Sequence, residues 1–331
     1  MKSYLHKSLW VTALTGALAL TACGDGDGDA ADTAAADTMT IRMATDGTAT
    51  GSAVSLGVEQ GFFEEEGLNV ELSASANPPA AVAALQSNEL DVASIPVIPA
   101  LNAQSQSINI KSIAPAAGFP DDPETAHDYD VQAVMVMPDS GIESPADLEG
   151  KNVGVPARQA IFEAFIIDAM KSEGADPDKV EWIALDFTSQ IESLRTGRID
   201  AAAVPLPFTV EAEENGATVL WRPGLEFYES GQTSTWLVSP EVQENTELVA
   251  KLQRAIRKSN EYANENTDAA IDAGSELTGI DPELLRASEQ FNYFPSEVDV
   301  DALKLANDKL VDMDFINQSV NVDDFVILPT E

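Results

Sequence analysis

The chain has 331 residues, 44% of them hydrophobic, which is enough to bury one large two-lobed core or two ordinary ones. It carries 56 acidic and 18 basic side chains, for a formal net charge of −38. This charge excludes nucleic acid and anionic lipid surfaces as partners, because their phosphates would be repelled. We interpret the acidic excess as a solubility coat suited to a salty exterior, where ions screen the self-repulsion.

Residues 1–22 have the pattern of a secretory signal: Lys2 and Lys7, an apolar run at 9–20, then small residues. The run is shorter than the roughly 20 apolar residues that a membrane-spanning helix needs. Residues 20–23, Leu-Thr-Ala-Cys, resemble the lipobox of bacterial lipoproteins. The resemblance implies cleavage before Cys23, acylation of this only cysteine, and an extracytoplasmic protein anchored to the membrane by lipid. The alternatives are a plain secreted protein and an ordinary buried thiol.

The segment after Cys23 is rich in Asp, Gly, Ala and Thr, and we predict that residues 23–38 form a disordered, acidic tether. Its Asp-Gly-Asp-Gly-Asp opening is similar to the start of a calcium loop. However, Ala30 and Ala36 stand where such a loop requires Gly and a bidentate Glu. We therefore expect no metal there.

From residue 39 onward, short β-rich runs alternate with helical ones, which indicates an α/β fold with mostly parallel sheets. The predicted strands are 40–44, 68–73, 91–95, 108–114, 152–155, 180–185 and 199–204. The predicted helices between them are 52–60, 78–86, 97–104, 159–172 and 189–196.

A sequence repeat supports two similarly built lobes. Six positions recur 109 residues later without a gap: Leu85, Asn88, Leu90, Asp91, Ala93 and Pro96 match Leu194, Gly197, Ile199, Asp200, Ala202 and Pro205.

Two further strand-like runs, 131–138 and 233–238, are predicted to carry the chain across to the second lobe and back. Helical stretches at 241–266, 282–288 and 300–311 follow and are predicted to return to the first lobe. The predicted lobes are therefore 39–130 plus 239–331, and 131–238.

Several segments resemble substrate-binding proteins of ABC importers, in the group for nitrate, sulfonates, taurine and thiamine-pyrimidine precursors. They are residues 61–72, 88–93, 139–142, 144–151, 197–201 and 322–325. The resemblance implies a two-lobed, type II periplasmic-binding-protein fold. It also implies that the protein clasps a small solute between its lobes and delivers it to a membrane permease. We further expect a monomer.

In a protein with parallel sheets, the ligand is expected to bind beyond the carboxyl ends of the strands, where loops lead into helix N-termini. The ligand-binding residues predicted there are Asp46, Thr48, Thr50, Asn77, Pro96 and Phe119 in the first lobe, and Arg158, Gln159, Phe187, Thr188 and Phe208 in the second.

The chemistry of these candidates leaves two kinds of solute open. Arg158 would grip a carboxylate or sulfonate with two donors, unless it pairs with a neighbouring acid. Phe119, Phe187 and Phe208 would stack on a flat, pyrimidine-like ring, unless they belong to the core. Asn77-Pro78-Pro79 replaces the Ser- and Gly-rich loop that sulfonate and nitrate binders often show. The resemblance therefore does not indicate which of the family's substrates this chain binds.

The sequence contains neither a Cys–His pair nor a Gly-rich phosphate loop, and we predict no enzyme, catalytic residue or cofactor. The leading hypothesis is a solute-binding lipoprotein of an ABC importer. The alternatives are an enzyme acting on a pyrimidine-like or aromatic molecule on the same fold, and a ligand sensor for a signalling partner.

Overall fold

The computed structural model describes residues 38–75, 77–158, 160–287 and 291–330. The predicted signal, Cys23 and all but the last residue of the predicted tether lie outside this part of the chain. The described residues form ten strands: β1 (Met39–Thr45), β2 (Leu68–Ala74), β3 (Val92–Pro96), β4 (Lys111–Gly118), β5 (Gln132–Val136), β6 (Asn152–Val155), β7 (Glu181–Ala184), β8 (Ala201–Pro205), β9 (Thr218–Trp221) and β10 (Gln232–Val238).

The strands form two five-stranded sheets with the same internal order. The first sheet runs β2-β1-β3-β10-β4 and the second β7-β6-β8-β5-β9. In each sheet the fourth strand is antiparallel to its neighbours, while the remaining neighbouring pairs are parallel. Both antiparallel strands, β5 and β10, arise from the predicted crossover runs, and each lies in the sheet that the chain has just entered.

The strand β10 lies in the first sheet, although the predicted boundary at residue 238 assigned it to the second lobe. It pairs with β3 over five residues, from Ser234 opposite Pro96 to Val238 opposite Val92. The change of sheet therefore falls between β9 and β10. We keep the division into two lobes as a proposal, with the second lobe ending before Gln232.

The helices cover the sheets in the predicted alternation, and the tail is more helical than predicted. They are α1 (Ser52–Glu59), α2 (Phe62–Glu65), α3 (Pro78–Gln86), α4 (Val97–Ser105), α5 (Pro123–Ala126), α6 (Ile161–Ser172), α7 (Phe187–Arg195), α8 (Phe208–Glu214), α9 (Pro223–Tyr228), α10 (Pro240–Gln243), α11 (Thr246–Glu265), α12 (Thr267–Thr278), α13 (Pro282–Ala287), α14 (Val300–Asp312) and α15 (Val322–Phe325).

Two features of the tail differ from the prediction. The helix predicted over 241–266 is divided in two, because the Asn245 side chain accepts the Leu248 N–H and so starts α11 as a new helix. The helix α12 was not predicted, although its buried residues Ala270, Ile271 and Ala273 follow helical spacing.

The repeat seen in the sequence has a hydrogen-bonded counterpart in the two sheets. The Asp91 carboxylate accepts the Arg42 N–H of β1 at 2.7 Å, and the Asp200 carboxylate accepts the Asn152 N–H of β6 at 2.8 Å. Asn88 and Gly197, which also match in the repeat, both have positive φ angles of 53° and 70° at a chain reversal. The two halves therefore share local bonding as well as strand order.

The helix α14 contacts both halves of the molecule. It packs against α4 beside the first sheet and against α9, which follows the last strand of the second. Its Lys309 Nζ donates to Asp168 of α6 at 3.0 Å and to the Phe227 carbonyl of α9 at 2.8 Å. The tail thus forms a third link between the halves, beside the two crossovers.

Among the described residues, none of the helices combines the length and the apolar character needed to cross a membrane. That same part of the chain contains no group of His, Cys, Asp and Glu side chains that could hold a metal ion.

Candidate functional site

A cavity of about 440 Å³ lies where loops from both sheets meet. Parallel strands contribute the residues at or after their carboxyl ends, and the antiparallel strands β5 and β10 contribute their amino ends. The first-sheet side consists of residues 46–50, Pro96, Gly118, Phe119, Thr233 and Ser234. The second-sheet side consists of Tyr129, Val131, Gln132, Ile161, Phe187 and residues 205–208. Thr278, Ile280, Leu285 and Asn292 of the tail complete the lining.

The loop after β1 is organised by Asp46. Its carboxylate accepts the Thr48 hydroxyl at 2.7 Å, the Thr50 hydroxyl at 2.7 Å and the Thr48 N–H at 3.1 Å. Thr48 in turn caps the short 3₁₀ helix Ala49–Gly51, which leads into α1. The three predicted polar residues of this loop therefore form one hydrogen-bonded unit on the cavity.

The apolar part of the lining contains three aromatic residues from the prediction. Phe187 and Phe208 come from the N-termini of α7 and α8, and their ring centroids are 4.8 Å apart at an angle of 36°. Phe119, at the end of β4, is 2% exposed and belongs largely to the core. Phe187 and Phe208 are only half-buried, so their rings are available to a solute.

The structure brings together seven of the predicted ligand-binding residues and places three others outside the cavity lining. Those on the lining are Asp46, Thr48, Thr50, Pro96, Phe119, Phe187 and Phe208. Asn77 instead caps α3 by accepting the Ala80 N–H at 3.0 Å, and Thr188 is exposed on α7 outside the lining. Gln159 lies outside the described residues.

Arg158 does not line the cavity either. Its Nε and Nη2 atoms donate to the two carboxylate oxygens of Glu163, both at 2.9 Å, and its guanidinium lies 5.8 Å from the centre of the Trp182 ring. The hydrogen bonds to Glu163 raise the pKa of Arg158 above its ordinary value. The two donors that we expected Arg158 to offer to a solute therefore bind the buried carboxylate of Glu163 instead.

Some lining residues were missed because they come from segments whose role depends on tertiary structure. Tyr129 precedes β5 and Gln132 is its first residue, while Thr233 and Ser234 lie near the amino end of β10. These positions were open to prediction, since the amino end of an antiparallel strand meets the carboxyl ends of its neighbours. Thr278 is the last residue of α12 and Asn292 lies between α13 and α14, and no sequence pattern predicts that either residue reaches the cavity.

A buried carboxylate holds the first crossover in place behind this lining. Asp130 is 1% exposed and accepts the Leu225 N–H at 2.8 Å and the Gln132 N–H at 3.2 Å. Burial raises the pKa of Asp130 above its ordinary value, while these backbone hydrogen bonds act in the opposite direction. Asp130 therefore joins the start of β5 to the start of α9.

The lining contains one carboxylate and lacks any cationic side chain among the residues that the structure describes. Its other polar groups are hydroxyls and amides, such as those of Thr233, Ser234, Gln132 and Asn292. Within the same set there is also neither a Cys nor a His. The cavity therefore offers a small molecule hydrogen bonds and aromatic contacts.

Both a family model and a protein of known name are similar to this chain over most of its length. A family model described as "NMT1/THI5 like" matches residues 52–270. The formylaminopyrimidine-binding protein of Halalkalibacterium halodurans is 24% identical over 288 residues, which cover 85% of this chain and 80% of that protein.

Solved structures agree with the fold described above. The periplasmic aliphatic sulphonate binding protein SsuA of Escherichia coli superposes with a TM-score of 0.72 at 14% identity, covering 88% of this chain and 93% of that one. This match confirms the predicted two-lobed α/β fold. The desulfurization enzyme DSZB also shares it, with a TM-score of 0.65 at 16% identity and coverage of 88% and 96%.

Proposed function

Because the chain belongs to the NMT1/THI5-like family, we propose that it is the solute-binding component of an ABC importer. The observation that carries this proposal is the cavity of about 440 Å³, to which both sheets and the tail contribute residues. A cavity built from two halves is suited to a solute that favours their closure, because the solute then contacts both sides only in the closed form. The closed form would be presented to a membrane permease.

The names of the relatives support a small ligand. One relative is named for binding a formylaminopyrimidine, and SsuA is named for binding aliphatic sulphonates. For this chain we propose a solute with a flat ring, because Phe187 and Phe208 present half-buried rings on the cavity. The volume of the cavity is in the range of small-molecule sites.

We further propose that the protein works outside the cytoplasm as a lipid-anchored monomer. The lipobox-like residues 20–23 and the preceding apolar run support an anchor on Cys23. The tether would hold the folded part close to the permease. Cys23→Ala should move the protein from the membrane fraction to the soluble fraction; a variant that stays in the membrane fraction would contradict the anchor.

An enzyme on the same fold is the second candidate, because the desulfurization enzyme is a structural neighbour. We propose that this chain is not an enzyme, since its described cavity lining lacks a nucleophilic Cys and a His base. Incubation of the purified protein with the solute that it binds, followed by mass spectrometry, should return the solute unchanged. A product formed in proportion to protein and time would reverse this assignment.

The solute itself can be identified from the purified protein. Native mass spectrometry of protein purified without added ligand should show a bound small molecule, and small-angle scattering should show compaction when that molecule is restored to stripped protein. Phe208→Ala should weaken this binding, whereas Phe315→Ala, a partly buried residue outside the lining, should not. Scattering profiles that are identical with and without a bound solute would contradict closure.

A further inference from the structure

The loop after β1 presents hydrogen-bond acceptors to the cavity. The hydroxyl of Thr48 lies 2.7 Å from one carboxylate oxygen of Asp46, and the hydroxyl of Thr50 lies 2.7 Å from both. The two hydroxyls also lie 2.9 Å apart, and a carboxylate carries no proton to donate, so each threonine directs its single hydroxyl proton to Asp46 or to the other threonine. The remaining capacity of the Thr48 and Thr50 oxygens is to accept.

The backbone of this loop offers few donors to compensate. The Thr48 N–H is taken by the Asp46 carboxylate, the Thr50 N–H by the Thr48 hydroxyl at 3.3 Å, and the Gly51 N–H by the Thr48 carbonyl at 3.3 Å. The N–H groups before a helix are the usual donors to a bound anion. Here the N–H groups of Thr48, Thr50 and Gly51 are used within the loop.

The charges around the cavity also disfavour an anionic solute. Asp46 is the one carboxylate on the lining, and among the described residues no Lys, Arg or His lines the cavity. Arg158, the candidate cation, is paired with Glu163. The net charge of −38 adds a long-range potential that attracts cations and repels anions. An oxyanion would therefore meet a carboxylate without a side-chain cation to balance it.

We propose that this cavity selects an uncharged or positively charged solute that donates hydrogen bonds to the Asp46 loop, and that it rejects oxyanions such as sulfonates and nitrate. A flat ring or plane bearing amino groups meets both requirements, because its edge donates to the loop while its face contacts Phe187 and Phe208. This inference rests on the proposed solute-binding function and adds to it the charge and hydrogen-bonding polarity of the solute.

Shape-matched ions of opposite charge test the selection directly. Guanidinium and nitrate are both flat and three-armed, and benzamidinium and benzoate share a ring and a two-atom head. We expect titration calorimetry of the solute-stripped protein at 0.15 M salt to show the cation of at least one pair binding at least about tenfold more tightly than its anion. Equal or tighter binding of the anion in both pairs, or the failure of both cations to bind at millimolar concentration, would overturn the proposal.

Variants locate the selectivity in the loop. Asp46→Asn removes the charge and turns one acceptor into a donor, so the cation-to-anion ratio should fall at least about tenfold. Because Asp46 also orders the loop, Thr50→Val provides a second test: it removes one acceptor and should weaken benzamidinium several-fold, whereas Thr50→Ser should keep the parent affinity. Asp176→Asn is the matched control, since Asp176 also accepts a backbone N–H, from Asp178, but lies outside the lining. An unchanged ratio in a folded Asp46→Asn variant would contradict the role of the loop.

Two results distinguish a failure of the polarity inference from a failure of the proposed importer function. If the co-purified solute is an oxyanion and the protein compacts on binding it, the importer function stands and the polarity inference fails. If the stripped protein binds cations but neither carries a co-purified solute nor compacts, the polarity inference stands and the importer function fails.

Discussion

Asp91 and Asp200 occupy matching positions in the two halves but make different hydrogen bonds. Asp91 accepts the backbone N–H, Nε and Nη2 of Arg42 at 2.7, 2.9 and 2.6 Å. Asp200 accepts the backbone N–H of Asn152 at 2.8 Å. The backbone hydrogen bond is common to both halves because it holds the start of β3 beside β1 and the start of β8 beside β6. The hydrogen bonds to the guanidinium group are found only at Asp91.

This difference predicts unequal costs for the same substitution. Asp91→Ala should lower the free energy of unfolding by about 2 kcal/mol and Asp200→Ala by about 1 kcal/mol, because Asp91 loses charge-assisted bonds as well as the backbone bond. Urea unfolding followed by circular dichroism measures both. Asp128→Ala, an exposed loop position, is the control and should change the value by less than about 0.5 kcal/mol. A cost for Asp200 equal to or above that of Asp91 would contradict these roles.

Elements were predictable where a local pattern defines them. The helix α3 and the strand β6 have the predicted bounds, because Asn77 and Pro78 mark the start of one and a short apolar run defines the other. The strand β4 begins three residues later than predicted, at Lys111. Its position is set by pairing with β10, which lies more than a hundred residues away in the chain.

One loop connects the two halves across the cavity. Leu206, which follows β8 in the second half, packs against an apolar cluster of the first half that includes Ala53, Ile271 and Leu285. It also lines the cavity next to Pro205 and Pro207. In the closure proposed above, separation of the halves would break this contact.

We therefore expect Leu206→Ala to weaken benzamidinium binding by about tenfold, because the closed state loses part of a buried side chain worth about 1–2 kcal/mol. Calorimetry gives the affinity, and small-angle scattering should show a less compact protein at saturating benzamidinium. Leu220→Ala is the control: Leu220 is also partly buried in the second half but does not line the cavity. Equal effects of the two substitutions would assign Leu206 a role in general stability alone.

The molecule as a whole carries its acidic charge over two halves joined by two crossovers and α14. Self-repulsion of this charge favours expanded states and weakens when ions screen it. Stability must come from packing and internal bonds such as Lys309–Asp168, because the chain has a single cysteine and thus no internal disulfide.

We predict that the melting temperature at pH 7 rises by about 5 °C or more between 0.05 and 2 M NaCl, because screening relieves more repulsion in the folded than in the expanded chain. Differential scanning calorimetry measures the shift. The same titration at about pH 4, where many carboxylates are protonated, is the control and should show a smaller rise. A melting temperature that does not change with salt at pH 7 would contradict the role assigned to the acidic coat.

The sequence by itself determined the two-lobed α/β architecture, the repeat, and the strand ends that line the cavity. These follow from local hydrophobic periodicity and from the rule that loops after parallel strands meet at one edge. Only the tertiary structure decided which candidates share the cavity. Arg158 was removed by its pairing with Glu163, and Leu206 and Asn292 were added by packing between distant segments. The polarity of the Asp46 loop likewise depends on where three hydrogen bonds point, and those directions are fixed by the folded backbone rather than by residue types.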